Sequence, residues 1–157
     1  MATAKITVTA TPLATQTRPK NSSITNPSTG TAIFGMFPQI KGRDVSFVGG
    51  PILLRFGSHQ QRWGFEHIWH GHFSDIPDFV SAEPEVTSFV CRILSRGAAI
   101  HYEYLLGKAE KKSTVFRNQQ GVVIVEERPD GKNGAFYSIV TAFPAARVHG
   151  SVIGRLK

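Results

Sequence analysis

Residues 122–143 read VVIVEERPDGKNGAFYSIVTAF: two apolar runs around a string of turn formers. Residues 122–127 and 135–143 are rich in β-branched and aromatic side chains, while 128–134, Arg-Pro-Asp-Gly-Lys-Asn-Gly, are mostly turn formers. That pattern predicts two antiparallel strands joined by a loop. Residues 113–118 form a further strand-like run, parted from the next only by Gln119-Gln120-Gly121, so the last third of the chain reads as a meander. Alternation along the final strand predicts Tyr137, Ile139 and Thr141 on one face and Phe136, Ser138, Val140 and Ala142 on the other. Pro144 ends it.

Upstream of the meander lie two helical patterns. In 84–96, Val86, Phe89, Val90, Ile93 and Leu94 follow i, i+3, i+4, i+7, i+8, the spacing of one buried stripe. Pro84 suits a first turn, Glu83 and Glu85 the positive helix start, Arg92 and Arg96 the negative end, and Gly97 a left-handed stop. In 59–73, HQQRWGFEHIWHGHF, residues Phe65, Ile68, Trp69 and Phe73 follow i, i+3, i+4, i+8, again one buried face. Gly64 and Gly71 bound any helix there. Earlier still, 45–48 and 52–56 read as two short strands around a Gly49-Gly50 turn. Pro51 fits a strand start or edge. The order of strand pair, helices and strands predicts an α+β protein, with helices packed on one face of a mostly antiparallel sheet.

Residues 1–31 are rich in Thr, Ser and Pro, with Ile6, Val8 and Ala10 alternating with threonines. Pro12, Pro19 and Pro27 break regular structure, so 1–44 is expected to be a linker or N-terminal extension and 45–157 the folded domain. The start holds no continuous apolar stretch of the secretory kind. Its lack of acids is a loose match to an organellar transit peptide, but the only arginines before residue 44 are Arg18 and Arg43. No apolar run approaches the ~20 residues of a membrane span.

The chain has 157 residues and a formal charge of +7. Such a balance suits a polyanionic partner as well as plain solubility. Residues 1–43 contribute +5 (Lys5, Arg18, Lys20, Lys41, Arg43, no acid), so the remainder contributes only +2. Within that remainder Lys108, Lys111, Lys112 and Arg117 face only Glu110, and Arg147, Arg155 and Lys157 face no acid. These two local excesses are the candidate phosphate-facing surfaces. A single cysteine, Cys91, excludes an internal disulfide and any zinc site of paired cysteines. It sits beside Val90 on the apolar stripe and reads as core.

Three histidines, His67, His70 and His72, fall within six residues. Imidazole is the general acid and base of neutral pH, and two of them can divide phosphodiester cleavage between them. One takes the proton of a ribose 2′-hydroxyl, and the other gives a proton to the departing 5′-oxygen. Surface or partly buried structural histidines are the competing readings. A metal site is disfavoured, since the Glu of the HExxH zinc motif is absent and no carboxylates cluster nearby. No Gly-x-Ser-x-Gly elbow and no phosphate-binding Gly-Lys-Ser/Thr loop occur.

The run from Gly64 to Phe73, GFEHIWHGHF, resembles the G-F-x-H-I-x-x-x-H helix of the barnase–EndoU–colicin–RelE (BECR) nuclease superfamily. Such domains form the toxic C-termini of contact-dependent growth-inhibition and other polymorphic toxins, and occur in phage proteins. Residues 136–144, FYSIVTAFP, are similar to the family's last strand, which often ends Thr-x-Tyr-Pro or Thr-x-Phe-Pro. The resemblance spans about residues 45–145. It implies a small α+β domain, helices first and then a four- or five-stranded antiparallel sheet. It also implies a metal-independent, cofactor-free endoribonuclease, often directed at transfer RNA, that leaves a 2′,3′-cyclic phosphate.

Carried over position by position, His67 and His72 match the two motif histidines, and Thr141 the threonine that holds the scissile phosphate. The stabilising cation falls to Arg117 first and Lys111 second. Phe143 stands where Tyr is frequent; it lacks the hydroxyl but keeps a ring for stacking. His70, Lys108, Lys111, Lys112, Tyr137 and Phe143 are then the substrate-binding candidates. The resemblance further implies a monomeric toxin domain delivered from a bacterial producer into a target cell's cytoplasm. A cognate acidic immunity protein would protect the producer. A non-catalytic RNA- or protein-binding module, as in a phage or structural protein on a degenerate nuclease fold, is the alternative.

Overall fold

The computed structural model describes residues 18–42, 45–102, 113–129, 134–144 and 151–156. Its strands are β1 (Ile33–Phe37), β2 (Ile40–Lys41), β3 (Ser46–Phe47), β4 (Gly50–Leu53), β5 (Ala99–Tyr102), β6 (Ser113–Asn118), β7 (Gly121–Pro129), β8 (Ala135–Phe143) and β9 (Ser151–Arg155). Two helices, α1 (Gly64–His72) and α2 (Phe79–Ile93), lie between β4 and β5. Seven strands make one sheet in the order β1-β4-β8-β7-β6-β5-β9, and β2 and β3 pair separately.

This corrects the expected fold class. The chain does not place N-terminal helices on a four- to five-stranded, mostly antiparallel sheet. It builds a seven-stranded mixed sheet curled into a half-barrel, 42% strand against 21% helix. The departure has three sources. Strand β1 comes from the stretch assigned to the extension and pairs antiparallel with β4. The residues around Gly49-Gly50 do not form a hairpin, because β3 pairs with β2 while β4 pairs in parallel with β8. Short β5 and β9 then widen the far side, with β5 bonded to both β6 and β9. Runs of two to five residues carry too little periodicity to identify as strands, and a parallel pairing across a long chain separation leaves no local trace.

The ribbon β6-β7-β8 runs antiparallel, and its register divides the sheet into two faces. Phe116, Val123, Val125, Tyr137, Ile139 and Ala142 share the core face and are all buried. Between Ile139, opposite Val125, and Thr141, opposite Ile124, β8 carries one extra residue, Val140. Such a bulge reverses the alternation beyond it. Thr141 and Phe143 therefore share the outer face with Ser138 and Arg117, not the core face with Tyr137.

The core face is closed by α2, whose Val86, Phe89, Val90 and Ile93 are buried, and by an aromatic stack. Phe37 lies flat on Tyr137 at 4.0 Å, and Phe47 and Phe116 sit 5.2 and 5.6 Å from Phe37. Offset and edge contacts of this kind add about 0.5–1.5 kcal/mol per pair beyond burial. Helix α2 starts five residues before the Pro84 start read from sequence, because the Asp78 carboxylate accepts the Ser81 N–H at 2.8 Å. Residues 18–32 are stitched to this body: Ile24 is fully buried and donates its N–H to Leu54 O. No helix among the described residues is long and apolar enough to cross a membrane.

Candidate functional site

Helix α1 begins at a pinch. Gly57 and Gly64 have φ of +70° and +85°, and a Cβ on Gly57 would fall 2.1 Å from Trp63 O. Only glycine accepts both the left-handed backbone and the contact. The pinch closes a loop, 58–63, whose ends exchange backbone hydrogen bonds between Ser58 and Trp63. No side chain caps α1; its leading N–H groups are met by the Arg55 and Phe56 carbonyls, at 2.9 Å from Phe65 and 2.8 Å from Glu66. Phe65, Ile68 and Trp69 are buried, so the helix is anchored by one face and its histidines are left on the other side.

That arrangement gathers four imidazoles. The loop folds His59 back onto α1, where its N–H donates to Glu66 Oε1 at 2.9 Å and its Nδ1 lies 3.3 Å from His67 Nδ1. His70, exposed, stacks on Trp69 at 4.2 Å and lies 5.5 Å from His59. His72 stacks on Phe143 at 5.3 Å. Helix α1 runs against β8, so this contact joins the histidine helix to the outer face of the sheet.

The electrostatics follow from that crowding. Partial burial lowers the pKa of His67 from its ordinary 6.5, and the neighbouring His59, His72 and Arg62 lower it further. Burial lowers His72 as well. Burial also lowers His70, with Glu66 acting the other way and His59 adding to the fall. Just above pH 6.5 these rings are held in the neutral form that accepts protons.

The outer face aligns further candidates. Arg117 pairs across the ladder with Val122, and Val122 with Phe143, so one cross-strand row runs from Arg117 to the ring under His72. In the next row Thr141 stands opposite Ile124; its hydroxyl is buried and has no hydrogen-bond partner among the described residues. His72 on α1 thus meets the outer face at Phe143, the face that also holds Thr141 and Arg117, while His67 on the same helix is placed against His59. Tyr137 does not share that face. It is fully buried on the core face, its hydroxyl donating to Val48 O and Glu127 Oε2. Burial and the Glu127 charge push its phenol pKa well up, as expected of a core hydroxyl. Its assignment as a substrate-binding residue is therefore corrected: the bulge at Val140 separates it from Thr141. Lys108, Lys111 and Lys112 lie outside the described residues.

Two features were missed from sequence. His59 joins the cluster only because the glycine pinch turns its loop back. Arg55 lies where β4's strand path continues, its Nε and Nη2 donating to Ser138 Oγ at 3.3 and 3.1 Å and its Nη1 to Asn21 Oδ1 at 3.0 Å. A lone arginine inside the apolar run Ile52-Leu53-Leu54-Arg55-Phe56 was the available signal. Among the described residues no three of His, Cys, Asp and Glu converge as metal ligands.

Fold and site together define a strand-dominated protein with a curled mixed sheet and a histidine-bearing helix that meets the sheet's outer face at Phe143. Comparisons with protein-family models, curated proteins and solved structures find no match.

Proposed function

We propose that this chain is an endoribonuclease toxin domain that cleaves RNA, with transfer RNA the first candidate, by attack of the ribose 2′-hydroxyl and without a metal ion. One of His67 and His72 removes the 2′-hydroxyl proton. The oxygen attacks phosphorus, the P–O5′ bond breaks, and the other imidazole protonates the departing 5′-oxygen. The products are a 2′,3′-cyclic phosphate and a 5′-hydroxyl end. Thr141 donates to a phosphoryl oxygen and Arg117 neutralises charge gathering there.

The observation that carries this reading is the meeting of His72 with Phe143 at 5.3 Å, on the face that also holds Arg117 and Thr141. Delivery into a target cell, and an acidic immunity protein steered to the cationic face, follow from the same reading.

The test is purified protein incubated with bulk transfer RNA in EDTA. Shortened RNA with cyclic-phosphate ends is expected, and His67→Ala should lower cleavage by at least ~10²-fold with the fold intact. Full activity in that variant overturns the assignment. The competing reading, a non-catalytic RNA-binding module, is favoured by one feature: the outer-face cations centred on Arg55 need no histidine. Intact but bound RNA in the same assay selects it.

A further inference from the structure

Beside the histidines lies a cleft of ≈ 480 Å³ whose lining includes Lys20, Arg55, Arg62, Arg128, Glu126 and Val140. We propose that it is a phosphodiester-binding subsite, seated on Arg55, that holds a backbone phosphate of the RNA strand next to the cleaved linkage. The inference deepens the ribonuclease reading and rests on it for which strand is held.

Four cations meet one carboxylate here, and that carboxylate, Glu126, is paired with Arg128 at 3.0 Å. Arg128 stands opposite Phe136 and Arg55 bonds Ser138, both on the outer face of the sheet, whereas the apolar core is built on the other face. Gathering the four cations in a concavity raises their mutual repulsion, which an anion relieves. Arg55 carries the sharpest geometry. Its guanidinium is held against the Trp63 and Phe136 rings, 4.7 and 5.1 Å from their centroids. Of its five N–H groups, two go to Ser138 and one to Asn21, which leaves two without a partner among the described residues. A planar, immobilised fork with two open donors matches a phosphate better than a mobile ammonium does. Burial and the Arg128 charge both disfavour the Arg55 cation, and Glu126 offsets them only in part.

Arg62 ties the cleft to the histidines. It lines the cleft and its charge reaches His67. It is also the non-glycine residue with positive φ among those described, at 65°. Strain of this kind is retained where the surrounding structure over-determines a conformation, often at a ligand site. On the sheet side, Val140 lines the cleft and Thr141 follows it in the chain. An RNA strand engaged at Thr141 thus has the cleft at the neighbouring position along β8.

The experiment uses the full chain and a labelled 2′-O-methyl RNA dodecamer, in which the attacking hydroxyl is blocked so that binding is read alone. Affinity is measured by anisotropy across a salt series. Lys20→Gln/Arg62→Gln, and separately Arg128→Gln, should weaken binding by about tenfold or more, with the log–log salt slope shallower by about 0.7 for each phosphate no longer neutralised. The charge-matched control, Lys41→Gln/Arg96→Gln, removes two cations that do not line the cleft and should keep both affinity and slope. Equal losses in the cleft variants and the control, or no loss in any, overturn the subsite. The two readings fail separately. Wild-type protein that leaves transfer RNA whole in EDTA but shows the cleft-specific slope change sinks the nuclease and keeps the subsite. Cut RNA with an unchanged slope does the reverse.

Discussion

Replacing Thr141 by valine should make this protein more stable and less active. The hydroxyl of Thr141 is buried without a hydrogen-bond partner among the described residues, and so is that of Thr114. Each such orphan carries a desolvation cost of about 1–3 kcal/mol that no contact among the described residues offsets. Valine keeps the β-branched shape and the strand preference while removing the polar atom. A gain near 1 kcal/mol is expected from either Thr→Val change, a rise of about 2–4 °C in a chain of this length. The two sites then diverge in function. Thr114 pairs with Val125 on the core face, whereas Thr141 pairs with Ile124 on the outer face that holds Phe143. A hydrogen bond to a charged phosphoryl oxygen is worth about 1.5–3 kcal/mol. Thr141→Val should therefore cut RNA cleavage by about 10- to 100-fold, while Thr114→Val leaves it alone. Urea denaturation with a fixed m-value and initial cleavage rates measure the two effects. A lower urea midpoint for Thr141→Val would mean the hydroxyl already has a structural partner. Undiminished cleavage would remove it from the phosphate site.

Three further outcomes follow from the site. Since His67 and His72 both titrate below 6.5, kcat/KM should be bell-shaped with its maximum on the acid side of 6.5 and a falling limb toward neutrality; a rate still rising at pH 8 contradicts the assignment. The folded protein binds fewer protons than the unfolded chain at His67, His70 and His72, so their contribution to stability is complete above 6.5 and is lost as pH falls through and below it. A urea midpoint that climbs as pH is lowered from about 6.5 to about 5 would reverse that sign. Gly64→Ala places a Cβ 2.6 Å from Gly57 Cα on a backbone with φ +85°; a loss of about 2 kcal/mol or more, and a Tm lower by at least ~4 °C, is expected.

Local pattern carried much of what lies within single elements. Phe65, Ile68 and Trp69 at helical spacing are the buried face of α1, and Val86, Phe89, Val90 and Ile93 that of α2. Alternating β-branched and aromatic residues marked β6, β7 and β8. Two-residue periodicity was less safe at the site. One inserted residue, Val140, has no sequence signature, yet it moves Thr141 and Phe143 together from Tyr137's face to the outer face. His59 and Arg55 were invisible as site residues for a related reason. Each acquires its role from a neighbour remote in the chain, His59 from the turn between Gly57 and Gly64, and Arg55 from Ser138.

The amino-acid order by itself determined which helix faces are apolar, that β6 turns into β7 after Asn118, and that histidines cluster and cations outnumber acids. Those properties depend on neighbours a few residues apart, and side-chain chemistry reports them directly. The tertiary structure alone decided that β4 lies parallel to β8, that the sheet has seven strands, and that β1 closes its edge. It also decided that His72, Phe143, Thr141 and the Arg55 cleft share one side. Backbone pairing is chosen by the sum of many burial energies across the whole chain, and no short window contains that sum.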